Sequence, residues 1–248
     1  QRSWSFLFLA SMRSSERPRS TRLTSAFSPV SGSGNSVQGN RIGTDATGTL
    51  DLGNGDRGVF IVSSTNNLIG GTTAGARNLI SGNDSEGVRL EGTGASDNHV
   101  EGNYIGSNWD GIQFMAPNAN GNTARHNFVG VSPLGQPAPM AGWGFVVRWG
   151  TKFDVLDGNT IRNTGKGGIG LLILMNDGTP TSPAFNIRLT QNIISNTNGP
   201  AIDLFGIAGP DPNDVDDLDA GSNTVLNTPI ITSALLTGVT GTATRNAI

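Results

Sequence analysis

Few residues in this chain combine the types and spacing needed for chemistry, and the densest group is acidic. Asp211, Asn213, Asp214, Asp216, Asp217 and Asp219 alternate along a loop that reaches Gly221. Alternating carboxylates followed by Gly suit a Ca²⁺ cage, although no Glu stands where the last ligand of an EF-hand would be. A solvated acidic loop would read the same way. A second group mixes charges: Arg148, Lys152, Asp154 and Asp157, with Arg162 and Lys166 expected one coil on. Cations beside carboxylates suit an acidic sugar, and a solvated face of mixed charge is the alternative. Trp109 and Trp143 lie in or beside irregular segments, and Trp149 follows closely. Outward rings there would stack on sugars, whereas rings folded back over an edge would do no chemistry. His99 and His126 read as outward turn residues rather than as acid or base.

Two phrases repeat around these residues. One is a Gly followed by a short apolar run, as in Gly58-Val59-Phe60-Ile61 and Gly87-Val88-Arg89-Leu90. It recurs at Gly111, Gly144, Gly168 and Gly199. The other is Asn-x-(Ile/Val)-x-Gly-Asn, as in Asn78 to Asn83 and Asn98 to Asn103. Self-similarity at 20–50 residues means a solenoid or an array. Apolar residues two apart give strand period, and frequent Gly and Asn exclude helical repeats. The expected architecture is all-β: a right-handed parallel β-helix of about six to eight coils. Each coil cannot bury its apolar side alone, so stacking supplies the core. Asn40, Asn83, Asn103, Asn127 and Asn159 are expected to stack as an amide ladder. The Gly before each corner Asn, such as Gly102, is expected at φ > 0. Arg41 to Arg57 and Phe128 to Trp143 are long insertions between phrases. Insertions in a solenoid map to one face, where binding concentrates.

Composition supports this reading and excludes others. There are 36 Gly and 25 Asn in 248 residues, and charged residues are 14%, against roughly 25% in ordinary domains. Cysteine is absent, so there is no disulfide framework and no thiolate metal site. No apolar run approaches the ~20 residues of a membrane span. Residues 1–24 carry five Arg and one Glu, a net of +4, which leaves −7 for the rest of a chain of net −3. An acidic body is a poor match for nucleic acid. Residues 1–31 fall outside the repeat and read as an irregular leader. Residues 32–233 form the helix, and 234–248 read as a cap strand or the start of a following module.

The phrases Asn40-Arg-Ile-Gly-Thr-Asp45-Ala-Thr-Gly48 and Asn67-Leu-Ile-Gly-Gly through Asn78-Leu-Ile-Ser-Gly-Asn83 resemble bacterial right-handed parallel β-helix repeat proteins of the pectate-lyase-like superfold. Gly199-Pro-Ala-Ile-Asp203 through Asn227-Thr-Pro-Ile-Ile-Thr-Ser233 is similar to the end of the helix in the same group. The resemblance implies a secreted or cell-surface bacterial protein built of several modules, with a polysaccharide or cell-surface ligand among its partners. Enzymes of that superfold use a Ca²⁺-binding acidic cluster with an Arg or Lys base, or Asp pairs. The Asn-Thr-Asp, Gly-His-Gly and Arg-Ile-Lys phrases of the hydrolases are missing, and Asp216-Asp217 stands without partner motifs. The expected function is a non-catalytic structural or adhesive domain. The alternative is a carbohydrate-active helix in which Trp109, Trp143, Arg148 and Lys152 contact sugar. Structural Ca²⁺ at residues 211–219 is the one cofactor suggested.

Overall fold

In a computed structural model, the described residues are 32–115, 117, 120–173, 182–204 and the backbones of 25–30, 230–235 and 238–242. Three parallel sheets run the length of a right-handed β-helix. Sheet A stacks β1 (Ser25–Val30), β4 (Arg57–Val62), β7 (Val88–Glu91), β10 (Ile112–Met115), β13 (Phe145–Arg148), β16 (Ile169–Leu171) and β19 (Ile202–Asp203). Sheet B stacks β2 (Ser36–Val37), β5 (Leu68–Gly70), β8 (His99–Glu101), β11 (Thr123–Arg125), β14 (Val155–Asp157) and β17 (Arg188–Thr190). Sheet C stacks β3 (Arg41–Ile42), β6 (Leu79–Ser81), β9 (Tyr104–Gly106), β12 (Phe128–Val129), β15 (Thr160–Thr164) and β18 (Ile193–Thr197). Each coil visits A, B and C in turn, giving six full coils and the start of a seventh. β20 (Ile230–Leu235) and β21 (Gly238–Thr242) form a separate antiparallel pair.

The sequence reading starts the repeat after residue 31, yet Ser25–Val30 already pairs in parallel with β4. Residues 1–24 and the acidic segment 211–219 lie outside the described residues.

Register follows the inward apolar positions. Val59, Val88, Ile112, Phe145 and Ile169 stand in one column, and Ile61, Leu90, Phe114, Val147 and Leu171 in the next. Val37, Ile69, Val100, Ala124 and Leu156 fill the side of sheet B, and Ile42, Ile80, Ile105, Val129 and Ile161 that of sheet C. These side chains form one continuous core. Burial of each is worth roughly 1.5–3 kcal/mol for the larger aliphatics. A one-residue slip would turn every column outward.

The Gly that opens each sheet A strand is there for space. A Cβ on Gly87 would fall 2.6 Å from Ile105 Cγ2 and 2.9 Å from Gly111 O. Gly58, Gly111, Gly144 and Gly168 occupy the same column. Gly199 does not belong to it, because Ile169 pairs with Ile202 and the equivalent residue is Ala201.

The corners are held by amides in three ladders, numbered in chain order: the first between sheets A and B, the second between B and C, the third between C and A. Between sheets B and C run Asn40, Asn78, Asn103, Asn127, Asn159 and Asn192. Between A and B run Asn35, Asn67, Asn98, Asn122 and Asp154. Between C and A run Asn54, Asn83 and Asn108. Asn83, expected in one column with Asn40 and Asn103, thus stands on a different corner. Asn127 shows the bonding. Its Oδ1 accepts from Asn103 N and Nδ2, both at 3.0 Å. Its Nδ2 donates to Val100 O at 2.8 Å and to Asn159 Oδ1 at 3.0 Å. The whole amide is satisfied in the dry interior, as burial requires.

The residue before each rung is usually left-handed. Gly102 has φ 68°, and His126 and Gln191 take the same role with φ 53° and 54°. Before the first-ladder rungs, Asn66, Asp97 and Phe153 have φ 57°, 55° and 60°. Asn and Asp tolerate this region; for the bulky Phe153 it is strained.

Candidate functional site

The outer face of sheet A gathers the largest set of charged side chains among the described residues. Aligning the coils on the space-requiring Gly puts Arg57, Glu86, Asp110 and Trp143 in one column just before it. Phe60, Arg89, Gln113 and Val146 form a second column, and Val62, Glu91, Met115 and Arg148 a third.

Glu86 is the hub. Its Oε2 accepts from Arg57 Nε at 3.0 Å and its Oε1 from Arg89 Nη1 at 3.1 Å. Arg57 also pairs with Asp56 at 2.6 Å and lies 4.4 Å over the Phe60 ring. Arg89 also pairs with Glu91 at 2.8 Å. One coil on, Asp110 Oδ1 accepts from Trp143 N and Oδ2 from Gln113 Nε2, both at 2.5 Å. Burial pushes the Asp110 carboxyl above its ordinary range; the two donors oppose this, Glu86 adds to it and Lys166 opposes it. Burial likewise lowers the Arg148 pKa, with Asp110 working against the shift. Arg148 contacts Met115 Sδ at 3.6 Å.

Two carboxylates at equivalent positions stand about one strand spacing apart, ~4.8 Å, with one held toward its neutral form. Closely paired carboxyls are what acid–base chemistry uses. Here, however, both carboxylates are only 6% exposed. Both oxygens of Glu86 are committed to Arg57 and Arg89, and both of Asp110 to Gln113 and Trp143. The arrangement binds coil to coil before it offers anything to a ligand.

The residues singled out in the sequence do not converge. Trp109 is 49% exposed, with Lys166 Nζ 6.0 Å from its ring centroid. Trp143 is 9% exposed and packs with Val146 and Leu172, so it is a covering residue rather than a sugar platform. Arg148 closes β13 on sheet A, half-covered beside Met115. Lys152 is exposed on the A–B corner, where its backbone bridges Asn120 and Phe185. Asp154 is a buried rung of the first ladder. Asp157 lies on sheet B and accepts from Thr190 Oγ1 at 2.6 Å. Arg162 is exposed on sheet C of the same coil as Arg148 and Asp157, rather than one coil on, because β13, β14 and β15 make a single turn. The expected lyase-like neighbourhood, contiguous in the chain, is therefore wound around three sides of the helix. His99 is exposed with Nδ1 2.7 Å from Thr123 Oγ1, and His126 turns a corner.

Asp154 is the unusual rung. Its Oδ1 accepts from Asn122 N at 2.8 Å, but its Oδ2 stands where an Asn would present its NH₂ and is buried without a partner. Burial pushes its pKa up to about 7, against the backbone N–H of Asn122 and the side chains of Thr151 and Asn122. The next coil has Ile187 at this position, so the ladder ends here.

The sequence reading missed Glu86, Arg89, Asp110 and Gln113. The signal was present, since each keeps a fixed offset from the Gly-strand phrase. Among the described residues no three His, Cys, Asp or Glu side chains cluster as a metal site, and no helix is long and apolar enough to cross a membrane. The chain matches no family model and no curated protein at a significant level.

Proposed function

We propose that this β-helix is a non-catalytic structural or adhesive domain of a secreted or cell-surface protein, its solenoid serving as a rigid spacer and display surface. The observation that supports this is where the polar side chains go. The Asn ladders and the Arg57–Glu86 ion pair join one coil to the next, and Arg89 ties Glu86 to Glu91 within a coil. The cations that an acidic sugar would need are dispersed over three sheets. Incubating the protein with polygalacturonate and Ca²⁺ and following absorbance of unsaturated product tests it. No product is expected; sustained product formation, lost in the Asp110→Asn variant, refutes it.

One observation favours a carbohydrate-binding version of the same role. Trp109 is half-exposed, with Lys166 Nζ 6.0 Å from its ring centroid. Retention on acidic polysaccharide that disappears in Trp109→Ala supports this reading, and unchanged retention in the variant removes it.

A further inference from the structure

The two long insertions leave the helix at the same corner, between sheets C and A, and fold alike. Gly43 to Asp51 forms a small hairpin closed by a bridge between Thr44 and Asp51; Gly130 to Ala138 forms another, closed between Val131 and Pro137. Each begins with a left-handed Gly and has a second five residues later: Gly43 and Gly48 at φ 81° and 79°, Gly130 and Gly135 at 75° and 74°. Their hydrogen bonds correspond. Gly48 N donates to Asp45 O and Leu52 N to Gly43 O; Gly135 N donates to Ser132 O and Ala138 N to Gly130 O, all at 2.9–3.0 Å. In the first hairpin the Asp45 carboxylate also accepts from Thr47 Oγ1, Thr49 N and Leu50 N, which holds its pKa well below the usual range.

One hairpin rises from the first coil and the other from the fourth, and they lean toward each other. Asp51 sits against Gly82 of the second coil. Ala138 sits against Gly106 of the third coil, and Ser107 N donates to Ala138 O at 3.2 Å. A Cβ on either Gly would meet the hairpin. Between them is a cleft of about 310 Å³, at the lower end of the range of small-ligand sites. Leu50 and Thr49 face Pro133 and Pro137 across it, over a floor that includes Ser81 and Ser107.

We propose that this cleft binds an uncharged sugar unit of a glycan chain. Its lining, all of it described residues, contains no Lys, Arg or His, and Asp51 is its one charge, so uronates, phosphates and nucleic acid are poor matches. Hydroxyls of Ser and Thr donate and accept equally, as sugar hydroxyls do. Leu and Pro side chains supply an apolar wall for the C–H face of the ring. An extended peptide is disfavoured because it takes main-chain bonds from a free strand edge. Here β6 and β9 are paired on both sides, to β3 and β12 as well as to each other. The site is separate from the Trp109 face and differs from it in the charge of its ligand.

The test is titration of the intact protein, followed by NMR or calorimetry, with neutral hexaoses of glucose, mannose and galactose, with hexagalacturonate, and with an extended Pro-containing decapeptide. At least one neutral hexaose is expected to bind with Kd of about 1 mM or tighter. Leu50→Asp, at a 61% exposed position, and Ser81→Trp are each expected to weaken it about tenfold or more, an effect of ~1.4 kcal/mol. Leu134→Asp, on the tip of the second hairpin outside the cleft, and Trp109→Ala leave it unchanged. The proposal is overturned if no neutral hexaose binds, if hexagalacturonate or the peptide binds more tightly and that binding is lost in Leu50→Asp, or if Leu50→Asp leaves the neutral hexaose binding unchanged. Loss of binding in Trp109→Ala alone would move the sugar to the sheet A face and equally overturn it.

Discussion

Replacing Asp154 with Asn should stabilise the protein, and the gain should depend on pH. Asp154 fills an amide position in the A–B ladder with its Oδ2 buried and without a donor. Its pKa is raised from 3.8 to about 7, chiefly by burial. A raised pKa means that the folded protein holds the proton more tightly than the unfolded chain. The stability is therefore full below pH 3.8 and is lost as pH rises toward 7, above which the loss is constant. At about 1.36 kcal/mol per pKa unit, the full loss is roughly 4 kcal/mol. Some relaxation around the carboxylate reduces this to an expected ~2–4 kcal/mol. An Asn side chain cannot ionise and can complete the rung. Urea unfolding of wild type and Asp154→Asn, followed by Trp fluorescence from pH 4 to 9, gives the difference directly. Other carboxylates titrate in both proteins and cancel. The variant should be little changed at pH 4 and more stable by ~2–4 kcal/mol at pH 8. A difference that is the same at every pH, or larger in acid, refutes the assignment of the shift to this buried carboxyl.

Three further outcomes follow from the corners and the core. Asn127→Ala removes four hydrogen bonds and strands buried groups on Asn103, Val100 and Asn159; thermal or urea unfolding should show a loss of about 3 kcal/mol or more, whereas Asn40→Ala at the part-buried end of the same ladder should cost about 1 kcal/mol. Phe153→Gly should stabilise by about 1 kcal/mol, since Phe153 has φ 60° and is 59% exposed, so little packing opposes the relief of backbone strain; an unchanged or lower unfolding midpoint contradicts this. Gly87→Ala should destabilise by about 1–3 kcal/mol through its approach to Ile105 and Gly111 O, read as a lower thermal midpoint in far-ultraviolet circular dichroism with the β-sheet spectrum retained below it; an unchanged midpoint contradicts this.

The fold was legible because stacking imposes the same demands on every coil. Strand-period apolar residues, corner Asn and tightly placed Gly recur wherever a coil turns. The phase within a coil was harder to see. Asn78-Leu-Ile-Ser-Gly82-Asn83 and Asn98-His-Val-Glu-Gly102-Asn103 look like copies of one phrase. The first wraps a strand of sheet C and the second a strand of sheet B. Each is a corner, a strand and another corner, and two sides of the helix satisfy the same local chemistry. For that reason Asn83 was placed on the wrong ladder, and Arg148, Asp157 and Arg162 seemed neighbours. The contacts that matter on sheet A join residues 24 to 33 apart, such as Glu86 and Arg57 or Asp110 and Trp143. Insertion lengths differ between coils, so no fixed sequence period brings these pairs together.

The two buried Asp residues with raised pKa also share a bonding pattern. Asp154 is itself the last rung of a ladder, whereas Asp110 lies on sheet A two residues beyond one. In the first ladder Asp154 is the last rung, and Ile187 follows without an amide. The third ladder runs Asn54, Asn83, Asn108 and then lapses, because Ala141, whose N bonds Asn108 O, carries no amide. Two residues beyond Asn108, the Asp110 carboxylate bonds Trp143 N, a backbone donor of the next coil. This is the coil into which the second hairpin is inserted. A carboxylate has no NH₂ to pass onward, so it can end a ladder but cannot continue one. Perturbed acids in a cleft or on a sheet often signal catalysis. In this solenoid both acids accept a backbone N–H from a neighbouring coil, Asp154 from Asn122 and Asp110 from Trp143, and the second hairpin, in the turn where the third ladder lapses, is also a wall of the sugar-sized cleft.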